Sequence, residues 1–500
     1  NFGKFNFYRN DKNLEFELKM VFNSLTYLLL LSSVVFLFWN ISYYKRFYLI
    51  FLSSLIFYGF WKIEFIPLLL FSTFLDWWIS LRMVSKIGRE RKYLLLTSLF
   101  ANLGILFFFK YLIFFTDNTI SLLNFFDVKL DPIAAKIILP LGISFYTFQT
   151  ISYTVDVYRK VIKPEKNFIV YACYVTFFPQ LIAGPILRAK EVISQFKKFN
   201  SFEWGYILKG LRRVLYGLFL KVVIADNIAP MVNGGFGLPV SELSAFDVWT
   251  LAFLFGFQIY FDFCGYSHIA LGSAKMIGIS FPENFNFPYL ATSPKDFWRR
   301  WHISLSSWVR DYIYLPLLKA KLQNSSSGGL EKATLNKKDQ KSLFITWGLM
   351  GFWHGANWTF LVWGLYHAIF IFIYRIIRPF TNGIHVRNKN ILGWFFTLPI
   401  IMLSWIPFRA DNLEISFTMW MKIIDPSKYS YLGLQENIYI ITLIITLGIL
   451  STYFIKKLIL INKLTNNLTI IIGDILFISF LFYFTFIFLR PINQFIYFQF

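Results

Sequence analysis

Charged residues and cysteines are scarce in this chain of 500 residues. Charged side chains make up 15% of it, whereas a soluble domain is usually about a quarter charged. Two cysteines, Cys173 and Cys264, are too few for a disulfide scaffold or for a four-ligand zinc site. Hydrophobic residues reach 56%, which excludes intrinsic disorder. The composition therefore predicts an all-α polytopic membrane protein, since helices are the usual way to satisfy the backbone in lipid.

Motifs of several common enzyme classes are also missing. The sequence has no Gly-x-Ser-x-Gly elbow, no Gly-x-Gly-x-x-Gly, no Walker A and no His-Glu-x-x-His motif. Hydride transfer, phosphate hydrolysis and zinc proteolysis therefore lack their usual residues. We predict no metal site.

Basic residues clearly outnumber acidic ones, and their positions point to the membrane. Lysine and arginine number 49 against 27 aspartate and glutamate residues, which gives a formal net charge of +22. The basic residues fall in short loops between apolar segments, as the positive-inside rule predicts for cytoplasmic loops. Because no basic domain stands outside the membrane, we expect no nucleic-acid partner.

The chain divides into a short polar segment and one long membrane domain. Residues 1–19 are mixed polar and do not resemble a signal peptide. We expect them to be a non-native or disordered N-terminal extension. Residues 20–500 are expected to form a single membrane-embedded domain.

Hydropathy predicts about ten or eleven transmembrane helices, together with re-entrant and interfacial helices. The basic loop 82–92 identifies the cytoplasmic side, and the acidic loop 116–133 fits the outside. The spans are predicted at about 22–41, 47–61, 64–81, 93–115, 136–155, 205–227, 246–268, 391–408, 438–455 and 470–489.

Two more apolar segments have basic residues on both sides, so neither is expected to cross the membrane once. Residues 168–186 contain Phe178-Pro179-Gln180 and Ala183-Gly184-Pro185, which interrupt a helix and predict a re-entrant hairpin. Residues 343–374 are expected to form two short helices that meet at or beyond the middle of the membrane, near residues 353–358.

His354 is the strongest catalytic candidate among five histidines. It lies in Gly351-Phe352-Trp353-His354-Gly355-Ala356-Asn357-Trp358, at the predicted turn. An ionisable residue inside the bilayer is a functional candidate by default, and a neutral imidazole takes a proton from a hydroxyl at about pH 7. Asn357 could orient a ring or a carbonyl group. The alternative is a buried histidine that only caps a helix break.

His302 lies in a second candidate segment, a predicted helix that Ser293 caps and Pro294 begins. Apolar residues recur at helical spacing on one face of this helix as far as Tyr312. Two interpretations remain open. The helix is either an interfacial one with snorkelling arginines, or a site where arginines hold a phosphate-bearing donor.

The remaining ionisable residues are less informative. Asp262 either pairs with one of the arginines or acts in catalysis, and His268 and Asp156 are expected to be structural or interfacial. His367 lies thirteen residues after His354, about 220° around a continuous helix, so it should face away from His354. His385 lies in a basic loop and is expected to be solvated.

Four stretches of the chain form longer motifs. They are LPLGISFYTFQ at 139–149, FFPQLIAGPI at 177–186, the series YFDF, PENFN and WHISLS between 260 and 306, and GFWHGANW at 351–358. Together they resemble the membrane-bound O-acyltransferase family, in particular its alginate O-acetyltransferase type. The resemblance extends over residues 20–500.

This resemblance implies a ring of transmembrane helices around a thin central partition. It also implies that His354 is the principal catalytic histidine and that His302 is the second one. One departure is visible, because the family commonly has aspartate after Gly-Tyr-Ser where this chain has His268. The departure puts a carboxylate role at that position in doubt, though not the catalytic pair.

The implied activity is acyl transfer in the inner or plasma membrane of the cell. The acyl group, expected to be acetyl, would arrive from the cytoplasm on a thioester, either acetyl-CoA or an acyl carrier. We expect Arg299, Arg300, Asn357 and Trp353 to bind this donor. Since the thioester supplies the driving force, no permanently bound cofactor, metal or ATP is expected. The acyl group would pass to a hydroxyl directly or through a covalent step.

Partners and acceptors follow from the same resemblance. We expect membrane lipid, an extracytoplasmic esterase-like or acetyltransferase protein, and an acyl carrier in the cytoplasm as partners. An extracytoplasmic polysaccharide such as alginate is the favoured acceptor, with peptidoglycan O-acetylation and D-alanyl transfer to teichoic acid as alternatives. A transporter or flippase is the alternative of another class, but the internal repeat that such proteins often have is not evident.

Overall fold

The apolar segments of the chain are helical. The computed structural model describes residues 20–128, 130–131, 137–182, 184–319, 337–381, 389–461 and 467–489. Within these ranges the chain forms twenty α-helices and no β-strand. The expected N-terminal extension, residues 1–19, lies outside the described residues.

The first eight helices precede residue 200. They are α1 (Leu25–Asn40), α2 (Tyr43–Lys62), α3 (Ile66–Arg82), α4 (Gly88–Lys110), α5 (Leu112–Phe125), α6 (Ile143–Tyr158), α7 (Phe168–Thr176) and α8 (Ala189–Phe196). Side-chain caps begin several of them, as Ser24 does for α1 and Asn167 for α7, where each accepts a hydrogen bond from a backbone N–H of the first turn.

Twelve more helices follow in the described part of the chain. They are α9 (Trp204–Leu218), α10 (Asp226–Phe236), α11 (Ala245–Met276), α12 (Pro294–Trp298), α13 (Ile303–Val309), α14 (Leu315–Leu317), α15 (Lys337–His354), α16 (Trp358–Thr381), α17 (Lys389–Arg409), α18 (Leu413–Ile424), α19 (Glu436–Ile461) and α20 (Asn467–Ile487). A π-helical segment, Phe219–Ala225, joins α9 to α10.

Six helical stretches in the described residues are long and apolar enough to cross a membrane. They are Tyr43–Ser85, Gly88–Lys110, Trp204–Phe236, Ala245–Met276, Trp358–Pro379 and Asn390–Arg409. Three shorter apolar helices are Leu25–Asn40, Glu436–Thr452 and Ile475–Ile487. The chain is therefore an all-α, multi-pass membrane protein.

Contacts between neighbouring helices close a ring. Helices α1 to α4 pack in succession, and so do α15, α16, α17 and α11. Lys110 joins α4 to α15, because its Nζ donates a hydrogen bond to the carbonyl oxygen of Trp353 at 2.6 Å. Tyr27 of α1 and Ser273 of α11 share a hydrogen bond of 2.8 Å between their hydroxyl groups, which completes the circuit.

Helix α6 lies inside this ring. It packs against α3 and α4, and nearly all of its side chains between Ile143 and Val157 are buried. The sequence analysis treated residues 136–155 as one of the spans, but the helix begins only at Ile143 and has 16 residues. It is an interior helix that contributes side chains to the centre of the protein.

The segment predicted to be a re-entrant hairpin folds back on itself. Helix α7 has 9 residues and is about 14 Å long, too short for a hydrocarbon core of about 30 Å. The chain then turns back, and Tyr174 donates a hydrogen bond to the carbonyl oxygen of Leu187 at 3.0 Å across the two arms. Gln180 donates from Nε2 to the carbonyl oxygen of Tyr174 at 2.6 Å and holds the tip.

Basic loops meet at one end of the helices, which we call the basic face. Arg91, before the apolar part of α4, donates to the carbonyl oxygen of Val157 at the end of α6 (2.7 Å). Arg188 forms an ion pair of 2.9 Å with Asp311, and Lys338 at the start of α15 donates to a carbonyl oxygen just after α14 (2.9 Å). These contacts bring the loops predicted to be cytoplasmic to the same side.

The loops predicted to be extracytoplasmic meet at the other end, which we call the opposite face. Trp358 donates to Asn118 of α5 at 2.8 Å. Arg409, at the end of α17, donates to Asn233 of α10 at 2.9 Å. The alternation derived from loop charge therefore agrees with the arrangement of the helices.

Glycine allows the two helices α9 and α11 to touch backbone to backbone. A Cβ atom added at Gly217 would lie 2.5 Å from the carbonyl oxygen of Gly265, and one added at Gly210 would lie 2.7 Å from that of Gly272. The two pairs are seven residues apart on each helix, so the contact extends over two turns. The hydrophobic effect does not drive helices together in lipid, so they associate through close van der Waals packing. Small residues at the interface allow that close packing.

We predict that Gly217→Ala will weaken this helix pair, because the new methyl group has no space against the Gly265 backbone. Overpacking of this kind costs about 1–3 kcal/mol. A lower midpoint of thermal unfolding in detergent is the expected result. Gly205→Ala on the same helix is the matched control, since no atom lies within 4 Å of its added Cβ. Equal midpoints for the two variants would contradict the packing argument.

Candidate active site

The predicted helix break is present at residues 355–357, between α15 and α16. The two helices run antiparallel, and Gly351 and Gly364 lie where they cross. A Cβ atom at Gly351 would collide with the carbonyl oxygen of Phe360, and one at Gly364 with that of Trp347. The helices are not short, since α15 has 18 residues and α16 has 24.

His354 is the last residue of α15 and faces the protein interior. Only 5% of its surface is exposed. Its ring lies between aromatic rings, with centroid distances of 4.8 Å to Trp353, 4.8 Å to Trp363 and 5.2 Å to Phe408. The side chain is therefore enclosed by protein and does not face lipid.

Lys110 and Tyr111 hold the end of the helix that carries His354. Lys110 Nζ donates to the carbonyl oxygens of Trp353 at 2.6 Å and His354 at 3.0 Å. The Tyr111 hydroxyl donates to the carbonyl oxygen of Phe352 at 2.9 Å. The last carbonyl groups of a helix lack partners within the helix and carry partial negative charge, so a cation is favourable there.

His302 occupies a break in what the sequence analysis described as one helix. Ser293 caps α12 and Pro294 begins it, as predicted, but α12 ends at Trp298 and α13 starts at Ile303. His302 itself adopts a left-handed backbone with φ of 39°. The expectation of one continuous amphipathic helix to Tyr312 was therefore wrong. The turn between α12 and α13 interrupts the helix and places the His302 side chain in the interior.

Asn284 holds the turn that presents His302. The backbone N–H of Ile303 donates to the carbonyl oxygen of Asn284 at 3.0 Å. The Ser304 hydroxyl donates to Asn284 Oδ1 at 2.9 Å and accepts from the backbone N–H of Ile186 at 3.0 Å. The PENFN, WHISLS and FFPQLIAGPI motifs therefore meet around one buried asparagine.

The Trp353 ring lies beside both imidazoles. Its centroid is 4.8 Å from that of His354 and 6.3 Å from that of His302. Phe148 of α6 stacks on Trp353 at 5.3 Å, and Phe145 lies 6.4 Å from His302. The structure thus brings the two predicted histidines to one aromatic cluster, although they are 52 residues apart in the chain.

The depth of this cluster can be read from α15. The helix begins at the basic face and has 18 residues, so His354 lies about 26 Å along it. Asn357, three residues later, donates to the carbonyl oxygen of Asp411 at the opposite face (3.4 Å). His354 is therefore beyond the middle of the protein, close to the opposite face.

The four predicted donor-binding residues do not form one pocket. Arg299 is exposed, and Arg300 forms a 2.8 Å ion pair with Asp296 of α12. Asn357 is at the other end of the protein, where its Oδ1 accepts from the backbone N–H of Thr359 and caps α16 (3.1 Å). Trp353 lies beside both imidazoles. Donor binding by these residues stays a prediction.

His367 faces the same interior as His354, contrary to the expectation. Its ring is 4.9 Å from Trp363, which in turn is 4.8 Å from His354. The calculation of 220° assumed a continuous helix, and the break at 355–357 resets the helical phase. Counted from Trp358, Trp363 and His367 are four residues apart and share one face of α16.

Asp262 forms an ion pair with a lysine. Lys221, in the π-helical segment Phe219–Ala225, forms ion pairs with Asp262 at 2.9 Å and with Asp226 at 2.7 Å. His268 accepts a hydrogen bond from Arg213 Nε at its Nδ1 atom (3.1 Å), which agrees with the structural role expected for it. His385 lies outside the described residues.

Sequence reasoning missed Lys110, Asn284, Trp363 and His367 as parts of the site. The spacing of Trp363 and His367 was visible in the sequence once α16 is taken to begin at Trp358. Lys110 carried a weaker signal, a lysine at the end of an apolar helix. Nothing in the local sequence connects Asn284 to His302, because that contact depends on how distant segments fold together.

The arrangement suits proton transfer in a water-poor enclosure. His302 is completely buried, and neither of its ring nitrogens has a hydrogen-bond partner among the described residues. Buried polar atoms without partners are rare in proteins and call for an explanation. A substrate beside the imidazoles would supply such partners.

Comparison with known proteins agrees with this geometry. A family model described as “MBOAT, membrane-bound O-acyltransferase family” matches residues 113–408. The “Probable alginate O-acetylase AlgI” of Azotobacter vinelandii is 36% identical over 414 residues, which cover 81% of this chain and 79% of the relative.

Two more relatives carry other printed activities. The “Peptidoglycan O-acetyltransferase” of Helicobacter pylori is 38% identical over 391 residues, 73% of this chain and 71% of the relative. The “Teichoic acid D-alanyltransferase” of Bacillus subtilis is 30% identical over 269 residues, 52% of this chain and 65% of the relative. These matches favour acyl transfer over transport. The chain belongs to the membrane-bound O-acyltransferase family and is a multi-pass membrane acyltransferase.

Proposed function

We propose that this protein passes an acetyl group from a cytoplasmic thioester to a hydroxyl group of an extracytoplasmic polysaccharide such as alginate. The observation that carries the proposal is the position of His354. It lies at the end of α15, about 26 Å from the basic face, and one turn from the opposite face. A base at that depth suits a reaction whose two substrates arrive from different sides of the membrane.

The donor side of the proposal rests on charge. Arg299 and Arg300 belong to a segment that the sequence predicts to be cytoplasmic, and guanidinium groups bind phosphate strongly. Both acetyl-CoA and an acyl carrier protein bear phosphate groups next to a thioester arm. The positive-inside rule assigns the basic face to the cytoplasm, where such thioesters are made.

The acceptor side rests on relatives. The names “Probable alginate O-acetylase” and “Peptidoglycan O-acetyltransferase” both describe acetyl transfer to hydroxyl groups of extracytoplasmic glycans. Peptidoglycan is therefore the second candidate acceptor. D-alanyl transfer has less support, because that relative matches 52% of this chain.

His354 is the proposed general base. Its imidazole removes the proton of the attacking hydroxyl, and the oxygen attacks the thioester carbonyl carbon. The carbon–sulfur bond then breaks, and the imidazolium returns its proton to the departing thiolate. The products are an acetyl ester and a free thiol. His302, whose ring is 6.3 Å from that of Trp353, positions the thioester or stabilises its charge.

Localisation and partners complete the proposal. The protein would reside in the inner or plasma membrane among its lipids. An esterase-like or acetyltransferase protein on the outer side would carry the acetyl group from the opposite face to the polymer. An acyl carrier on the cytoplasmic side is an alternative source to acetyl-CoA.

Replacement of His354 by alanine should abolish acetyl transfer. General base catalysis contributes about 10²–10⁴-fold to rate, so we expect a fall in kcat of at least about 10²-fold. The assay uses the full-length protein in liposomes with radiolabelled acetyl-CoA, an oligosaccharide acceptor and the candidate partner protein. His268→Asn is the control, because asparagine keeps an acceptor atom for Arg213. Full activity of a well-folded H354A protein would refute the role of His354.

Lys110 should matter for the orientation of His354. We expect Lys110→Met to reduce kcat about tenfold and to lower the thermal midpoint, because two hydrogen bonds from a charged donor are lost, each worth about 1.5–3 kcal/mol. Lys110→Arg, which keeps the charge, should recover part of the activity. Lys92→Met, at an exposed position of the same helix, is the control. A K110M protein with the activity of K92M would contradict the capping role.

The direction of transfer can be measured in sealed vesicles that expose the basic face to the outside. Radiolabelled acetyl-CoA or acetylated carrier is added outside, and alginate or peptidoglycan fragments are enclosed with the candidate partner protein. We expect label on the enclosed glycan only with the wild-type chain. Label on external glycan alone would overturn the proposed direction, and the glycan that is labelled identifies the acceptor.

A further inference from the structure

Tryptophan N–H groups near His354 lack acceptors. Among the described residues, the buried Nε1 atoms of Trp298, Trp353, Trp363 and Trp405 have no hydrogen-bond partner. Elsewhere the indoles donate to oxygen atoms, as at Trp39, Trp77, Trp249, Trp308, Trp358, Trp394 and Trp420. A buried donor without an acceptor costs about 1–3 kcal/mol. The concentration of such donors around His354 indicates that one of them has its acceptor on a substrate.

Among these indoles, Trp363 is the one that the packing of α15 against α16 places beside His354. Its side chain is completely buried, and its ring centroid is 4.8 Å from that of His354. The close crossing at Gly351 and Gly364 fixes α16 against α15, and Trp363 precedes Gly364 directly. The indole therefore has little freedom to move, which is what a preorganised donor requires.

The proposed reaction needs such a donor. When the hydroxyl oxygen attacks the thioester carbon, the carbonyl π electrons move onto the acyl oxygen, which becomes an oxyanion. When the carbon–sulfur bond breaks, the same electron pair re-forms the carbonyl group and the thiolate leaves with the proton from His354. A covalent route passes through the same oxyanion. In a water-poor site that oxygen needs a fixed N–H donor.

We propose that the indole N–H of Trp363 donates a hydrogen bond to the acyl oxygen as it becomes an oxyanion. This inference rests on the proposed function, since it assumes that an acyl thioester reacts at His354. It gives the oxyanion a hydrogen-bond donor other than His354, because His354 takes the proton of the hydroxyl.

The other unpartnered indoles fit this role less well. Trp298 lies against His367 at 5.0 Å. Trp405 packs on Phe408 at 5.4 Å and on Trp363 at 6.2 Å. Trp353 is stacked on Phe148 at an interplanar angle of 18°, so its ring suits the donor-binding role predicted for it.

The test compares Trp363→Phe with Trp405→Phe in the liposome assay. Both changes remove a buried, unpartnered N–H and keep an aromatic ring, and Trp363 is the one of the two whose ring is placed beside His354, at 4.8 Å between centroids. Loss of one oxyanion donor typically costs about 10²–10³-fold in kcat. We expect a loss of that size for W363F with KM within about threefold of wild type, and a kcat for W405F within about threefold. Equal kcat values for the two variants would overturn the assignment.

A second substitution separates the hydrogen bond from packing, because phenylalanine leaves a void. Benzothienylalanine at position 363 keeps the bicyclic shape of tryptophan and has sulfur in place of N–H. We expect it to lower kcat as W363F does, with the thermal midpoint of the wild-type protein. Wild-type kcat with benzothienylalanine would refute the donor role. An active H354A protein would refute the proposed function itself. An inactive H354A protein together with a fully active W363F protein would refute only the role of Trp363.

Discussion

The close crossing of α15 and α16 is the contact on which the site depends. Gly351 and Gly364 have no side chains, so the two backbones touch where any larger residue would separate them. This contact brings the start of α16 back against the end of α15 and makes the turn at 355–357 tight. His354 and Trp363 come together as a result, and Lys110 then closes the end of α15 from the neighbouring helix.

Enclosure by aromatic rings has an energetic consequence for the site. Rings bury large apolar areas and stabilise the centre of the protein, but they leave His302 and four indoles without hydrogen-bond partners among the described residues. The left-handed backbone at His302 adds local strain. Both features cost stability, and the rest of the helical framework offsets that cost. Such a balance is typical of a site that is organised for a substrate before the substrate arrives.

Local patterns in the sequence predicted much of the framework. Apolar runs predicted the helices, and loop charge predicted which loops lie on the same side. Phe178-Pro179-Gln180 predicted that the chain folds back after α7. The break near His354 and the Ser293 cap were also predicted correctly. The errors share one origin, which is the assumption that a helical pattern continues through a turn. Under that assumption we predicted that the helix with His302 continues to Tyr312 and that His367 faces away from His354.

The sequence by itself determined which segments are helical, which loops share a face and which histidines are candidates, because hydropathy, charge and helix caps act over short distances. Only the tertiary structure decided that His302 and His354 lie beside one indole, that Asn284 supports the first and that Lys110 caps the second. It also decided that Asp262 pairs with Lys221. These contacts join segments that are far apart in the sequence, so their geometry depends on how closely the helices pack. Glycine residues allow close packing, but the distance between two helices is fixed only when both are folded together.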